Sequence, residues 1–136
     1  MKLTSYLNFN GQCEAAFNFY AKCLDGKIEG TFTYEGSPMA KDVPAEFRNK
    51  LMHATLVIED QVLMGADASP GHYQKPAGFS VSIGLKDVAK SERFFRALSE
   101  GGTVQMPIQE TFWAARFGML TDKFGIPWMI NCEKAA

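Results

Sequence analysis

A chain of 136 residues with 46% hydrophobic and 21% charged residues has the length of one domain and the composition of a globular one, which excludes a disordered or collagen-like polymer. Fourteen Lys and Arg against fifteen Asp and Glu leave a net charge of −1 without any block of like charge, so no nucleic acid and no anionic membrane surface is expected as partner. A small neutral or mildly charged organic molecule is the expected ligand.

The chain starts MKLTSYLNFN, which lacks the apolar stretch of a signal peptide, and no later run reaches the roughly 18 apolar residues of a membrane span. A cytoplasmic location follows as an expectation. Residues 3 to 10 alternate, with Leu3, Leu7 and Phe9 on one side and Thr4, Tyr6, Asn8 and Asn10 on the other, the pattern of a half-buried strand. Gly11 ends it. From Gln12 to Leu24 the apolar positions Cys13, Ala16, Phe17, Tyr20 and Leu24 recur at helical spacing, and Asp25-Gly26 closes the segment. Three cysteines without a Cys-x-x-Cys pair suit a reducing compartment. Cys13 and Cys23, on one helix, would be separated by a rise of about 15 Å, beyond disulfide reach.

Residues 27 to 35 read as a strand, 36 to 50 as a connection, and 51 to 59 as a further strand. Glu59-Asp60-Gln61 then turns the chain into a strand over 62 to 67. A Pro/Gly loop from Ala68 to Gly78 leads into FSVSIGL as a strand, with Asp87 placed to cap a second amphipathic helix carrying Val88, Phe94, Phe95 and Leu98. Gly101-Gly102 ends that helix. FNFYAKCLDGKI aligns with ERFFRALSEGGTV at an offset of 75 residues, and the hairpin LVIEDQVLM has a counterpart in GMLTDKFGIPWMI, Asp60 matching Asp122. Two copies of a βαβββ module therefore cover the chain, residues 1–67 and 78–136. A module of about 60 residues buries too little surface to be secure alone, so the two are expected to form one domain.

This tandem grammar resembles the PhnB-like branch of the vicinal oxygen chelate superfamily, the glyoxalase and bleomycin-resistance fold. The residues that carry the resemblance are Tyr6-Leu7 with Phe9 and Gly11, His53-Ala54, Met64 with Asp67, and Phe112-Trp113 with Arg116, Gly118, Asp122, Phe124-Gly125 and Trp128. Lys123 and Ile126 stand where members of the branch usually carry Pro and His. The resemblance implies an α+β architecture, a cupped half-barrel around a ligand pocket, and a homodimer. It also implies that a divalent metal, where a member uses one, takes ligands from each module's first and last strands. Those positions fall here on Ser5, Ser80 and Met129, and neither a neutral hydroxyl nor a thioether suits Mg, Mn, Zn or Fe. Strand alternation favours Tyr6 over Ser5 as the residue facing the cup. No cofactor is expected, with a divalent metal kept open for the alternative of a metal-dependent isomerase, lyase or dioxygenase that uses His53 and Asp67; the resemblance implies no particular reaction.

If the hairpin 51 to 67 turns at Asp60, His53 falls opposite Asp67 on one face with Thr55, Val57, Leu63 and Gly65, while Ala54, Leu56, Ile58, Val62, Met64 and Ala66 form the apolar face under a helix. His53 and Asp67 are then the candidate catalytic pair. The imidazole would be a general base or a metal ligand in an isomerase, lyase or dioxygenase, or else a satisfied cross-strand hydrogen bond. Tyr6, Thr55, Ser80, Trp113, Arg116 and Met129 are the candidate pocket residues. Arg116 either clamps a ligand carboxylate or phosphate or pairs with Glu110. Asp122 is expected to organise its own turn with Gly125. Among the aromatics, Phe32, Tyr34 and Tyr6 can line a pocket, Phe112 and Trp128 are assigned to the core, and Trp113 to the pocket or an interface. His72 is read as a loop residue and Cys132 as unreactive. The chain has no G-x-G-x-x-G between strand and helix, so the methyltransferase label often attached to such sequences finds no support.

Overall fold

The alternation near the start of the chain forms β1 over Ser5–Phe9, where Leu7 and Phe9 are buried and Tyr6 and Asn8 are exposed. Leu3, assigned to this strand from sequence, precedes it and lies fully exposed. After Asn10-Gly11-Gln12 comes α1, Cys13–Leu24, which buries Cys13, Ala16, Phe17, Tyr20, Cys23 and Leu24 on one face. Asp25 takes the left-handed conformation (φ 55°) and ends the helix. Then follow β2 (Lys27–Thr33), two short 3-10 turns at Ala40–Asp42 and Ala45–Phe47, β3 (Leu51–Ile58) and β4 (Gln61–Asp67). The order β5 (Val81–Leu85), α2 (Val88–Ser99), β6 (Thr103–Gln109), β7 (Ala114–Thr121) and β8 (Pro127–Glu133) repeats the sequence of elements.

The computed structural model describes residues 1–135. They divide into two compact units, the first Met1–Gln74 and the second beginning at Lys75. Each unit holds one helix and one four-stranded sheet, in the order β1-β4-β3-β2 in the first and β5-β8-β7-β6 in the second. In both, the outer pair β1–β4 or β5–β8 is parallel and the remaining pairs are antiparallel. The architecture is thus α+β, a tandem βαβββ fold.

In the first unit α1 covers the face that carries Leu7, Ala54, Leu56 and Leu63, all buried. Phe9 meets Phe17 edge-on at 6.1 Å and Tyr20 at 6.5 Å. Each such side chain contributes about 1.5–3 kcal/mol when fully buried. Helix and sheet approach closely because position 65 lacks a side chain: a Cβ on Gly65 would sit 2.8 Å from the Leu7 carbonyl oxygen and 2.9 Å from the Phe17 ring.

The β3–β4 register differs from the expected one by a single residue. Ile58 pairs with Gln61, Leu56 with Leu63 and Ala54 with Gly65, so the hairpin turns on two residues, Glu59 and Asp60, with Glu59 at φ 56°. The axis of the turn lies between them rather than on Asp60, and a one-residue slip exchanges every side chain of β4 between faces. Leu63, Gly65 and Asp67 therefore lie under α1, whereas Val62, Met64 and Ala66 share the opposite face with His53 and Thr55. The proposed His53–Asp67 pair is thereby excluded, its members lying on opposite faces.

Candidate functional site

Asp67 is 1% exposed, and its role is structural. The backbone N–H groups of Cys13 and Leu51 donate to its two carboxylate oxygens at 2.9 Å each, and the Tyr34 hydroxyl donates to its carbonyl at 2.7 Å. One residue thus ties the first turn of α1, the start of β3 and the end of β4. Burial, reinforced by the Asp67 and Glu14 carboxylates, pushes the Cys13 thiol well above its ordinary value. Burial and Asp67 likewise raise the Tyr34 phenol. Tyr34, counted from sequence among pocket aromatics, is 5% exposed and belongs to this buried knot.

His53 is held instead by hydroxyls on the open face of the first sheet. Tyr6, Met64 and Thr55 stand side by side across β1, β4 and β3, and Phe32 of β2 is the register partner of His53. The Tyr6 hydroxyl lies 3.0 Å from Nδ1 of His53, and Nε2 lies 3.0 Å from the Thr55 hydroxyl. The Tyr6 and Phe32 rings flank the imidazole at centroid distances of 5.7 and 6.3 Å. Tyr6 is 48% and Phe32 62% exposed. Partial burial, followed by the influence of Cys13 and Tyr34, raises the Tyr6 phenol above its ordinary value, so it remains a neutral donor at physiological pH.

Three exchangeable protons serve this Tyr6–His53–Thr55 chain when the imidazole is neutral, one on each member. The two internal hydrogen bonds use two of them. The third stays available at one end, on Thr55 when Tyr6 donates inward, on Tyr6 when Thr55 does. Either way the chain offers an outward O–H donor at one end and an oxygen acceptor at the other, and reversing the imidazole tautomer exchanges the two. It can orient a ligand oxygen and shuttle a proton without ionising.

In the second unit Ser82, Met129 and Met119 form one row across the open face and Gly84, Asn131 and Phe117 the next. Ser80 precedes β5 and is half-buried. Trp113 precedes β7, packs against Phe117 at 5.4 Å and Phe112 at 4.8 Å, and is 49% exposed. Phe112, assigned from sequence to the core, is 89% exposed. The expected role of Arg116 in a pocket is not met. A register irregularity between Ala114 and Arg116 sets Arg116 opposite Cys132, a residue buried in the core, and its Nε reaches Glu92 of α2 at 3.5 Å, so Glu92 takes the place expected for Glu110. Asp122 accepts from the N–H groups of Phe124 (2.8 Å) and Ile126 (3.1 Å) and from the Trp128 indole (2.8 Å), which makes it the polar anchor of the β7–β8 turn and of Trp128, the largest fully buried side chain.

The superfamily's metal positions do not fit a divalent cation. Ser5 shares strand parity with Leu7 and Phe9 rather than with Tyr6, Ser80 offers a neutral hydroxyl and Met129 a thioether, and among the described residues no three His, Cys, Asp or Glu come together as a metal set. Sequence reasoning did not single out Asn131, whose side-chain oxygen is buried without a hydrogen-bond partner. Its sequence signal is only the alternation of β8, which places it beside Met129 on the open face.

The fold is that of the glyoxalase and bleomycin-resistance proteins. A glyoxylase/bleomycin resistance protein/dioxygenase domain from Frankia sp. EAN1pec shares it at a TM-score of 0.69 and 12% identity, over 98% of each chain. A family model described as 3-demethylubiquinone-9 3-methyltransferase matches residues 1–131, and the chain belongs to that family, the PhnB-like branch of the vicinal oxygen chelate superfamily. It is 33% identical to Protein YjdN of Escherichia coli K12, across 98% of this chain and 97% of that one. Protein PA1353 of Pseudomonas aeruginosa is 44% identical, with a TM-score of 0.90 and 99% of both chains covered. A Bacillus cereus PhnB protein, a putative 3-demethylubiquinone-9 3-methyltransferase by description, shares the fold at a TM-score of 0.80 and 24% identity, over 97% of this chain and 99% of that one. The residues here do not fit a methyl-donor nucleotide. The β1–α1 turn, Asn10-Gly11-Gln12, has one glycine, and Asp67 and Asp87 already accept from N–H groups in the first turns of α1 and α2.

Proposed function

We propose that this protein binds a small organic molecule on the open face of its first sheet, with the Tyr6–His53–Thr55 chain as the polar recognition element, Phe32 as the apolar one, and no part played by the superfamily's metal. The observation that carries the reading is the imidazole held at both nitrogens by hydroxyls on a face left open by α1. A purely structural histidine is ordinarily buried with its partners, whereas Tyr6 and Phe32 here leave about half of their surface free. Neutral donors and acceptors beside exposed aromatic rings favour an uncharged, oxygen-bearing ligand.

The protein is further proposed to act as a homodimer in the cytoplasm. Support comes from the dimers of the resembled superfamily and from apolar side chains left exposed in the second unit, Val104, Met106, Phe112 and Trp113, of the kind found at interfaces. Binding is tested by screening a panel of small oxygenated compounds against wild type, His53→Ala and Thr55→Val, with ligand-observed NMR as the readout. A compound bound by wild type and weakened at least about tenfold in both variants is the expected result. Hits indifferent to both substitutions refute the site, and turnover of a hit replaces the binding reading with an enzymatic one.

A further inference from the structure

The groups that hold the His53 imidazole are all uncharged: the hydroxyls of Tyr6 and Thr55 at 3.0 Å each, and the rings of Tyr6 and Phe32 at its sides. The strands around it add no charge to the site. β1 has Tyr6 as its one titratable residue, and β3 has none besides His53. On β4 the one charged residue, Asp67, is buried on the opposite face. β2 carries Lys27, opposite Val57, and Glu29, in the irregularity between Ile28 and Gly30; Glu29 is three residues from Phe32, about 10 Å along the strand. A functional histidine is commonly oriented by a carboxylate or a backbone carbonyl, which fixes which nitrogen bears the proton. Hydroxyls both donate and accept, so these two partners reverse their bonds when the ring gains a proton and need not part from it.

With a neutral ring one hydroxyl donates inward and the other outward. With a protonated ring both nitrogens donate, both hydroxyls accept, and both O–H protons turn outward. The face then presents two donors and a positive charge that no carboxylate of its own sheet face answers. We infer that in this state the site binds an organic carboxylate, taken up together with one proton. The carboxylate, an acceptor at both oxygens, accepts from an outward hydroxyl beside the imidazolium, and the apolar body of the ligand rests against the exposed Phe32 ring. Hydrogen bonds to an ionised group are roughly twice as strong as neutral ones, and a ligand that prefers the protonated state draws the proton onto it by the same factor. Histidine is the side chain whose ordinary charge change falls between about pH 5 and 8, so a carboxylate gains on an uncharged ligand as pH falls through that range. The inference rests on the reading that the Tyr6–His53–Thr55 face takes a small oxygen-bearing molecule, and adds a second, anionic class of ligand that the proton selects.

Benzoate and benzamide share a ring and a planar head group and differ in charge, which makes them the test pair. Each is titrated by ligand-observed NMR into wild type, His53→Gln and His72→Gln at about pH 5.5 and about pH 8, at one ionic strength because exposed charges are screened by salt. Wild type is expected to bind benzoate about tenfold more tightly at the lower pH, as a hydrogen bond to a charged group warrants, and benzamide within about twofold at both. His53→Gln, which keeps a neutral polar side chain in place, should level the benzoate response. His72→Gln, which changes the chain's other histidine in an exposed loop, should retain it. A benzoate affinity independent of pH in wild type, a dependence that survives His53→Gln, or an equal dependence for benzamide overturns the inference. So does the absence of benzoate binding below about 10 mM at the lower pH, an affinity within reach of fragments this small. In each of these cases His53-dependent hits among the uncharged compounds of the oxygenated panel would still uphold the proposed recognition element.

Discussion

Asp67 and His53 invite a double-mutant cycle, because the sequence suggests that they cooperate and the structure separates them. In Asp67→Asn one carboxylate oxygen becomes an amide group that faces a backbone N–H, so one of the two 2.9 Å bonds to Cys13 and Leu51 is replaced by a clash of donors. Losing a hydrogen bond to a charged acceptor costs about 1.5–3 kcal/mol, and a buried donor left unpaired about 1–3 more. A loss near 3 kcal/mol is expected, which for a chain of this length lowers Tm by on the order of 10 °C. His53→Ala removes bonds on an open face that water can replace, and should cost about 1 kcal/mol or less. Urea unfolding of wild type, both single variants and the double variant gives the coupling. Independent sites add within about 0.5 kcal/mol, and that is the expected result. A coupling above about 1 kcal/mol, or an Asp67→Asn variant of wild-type stability, would refute the assignment of Asp67 to the scaffold.

Three further outcomes follow from the buried groups. The folded chain holds the Cys13 proton that an unfolded chain releases above 9.0, so stability contributed by the neutral thiol is complete below pH 9 and declines as pH rises beyond it; alkaline urea titrations should show that slope, and Cys13→Ala should flatten it. Gly65→Ala forces a methyl group to 2.8 Å from the Leu7 carbonyl and should cost about 1–3 kcal/mol by overpacking, whereas Gly84→Ala should be near neutral in the same melts. Trp128→Phe deprives the Asp122 carboxylate of its 2.8 Å indole donor in the core and should cost about 2 kcal/mol by calorimetry; a change below about 0.5 kcal/mol would contradict the anchoring role given to Asp122.

Periodicity made much of this fold legible before any coordinates. The apolar spacing of α1, the Asp87 cap of α2, whose side chain accepts from the Lys90 N–H at 3.0 Å, and the repeated order of elements were all visible in residue types. What escaped is governed by half-residue geometry and by tertiary contact. The turn after β3 centres between Glu59 and Asp60, and neither residue is a glycine that would advertise the left-handed conformation of Glu59. That small displacement moved Asp67 from the open face to the core, and His53 is left with the hydroxyls of Tyr6 and Thr55 as its partners. Phe112 looked like core by composition alone, yet it precedes β7 and stands outside the alternation that buries its neighbours. The Arg116–Glu92 pair joins residues 24 positions apart across a strand irregularity, which no local pattern marks. Asn131 stands on the open face by the alternation of β8, but its unpartnered oxygen depends on the strands on either side and has no mark in the local sequence.

Equilibrium affinity for the best compound of the oxygenated panel, measured with and without EDTA on wild type, Tyr6→Phe, His53→Ala and Thr55→Val, tests the central claim most directly. The account predicts an affinity untouched by the chelator and reduced at least about tenfold by His53→Ala, with smaller losses in the two hydroxyl variants. Affinity abolished by EDTA and restored by a divalent cation, or equal in all four proteins, would contradict it.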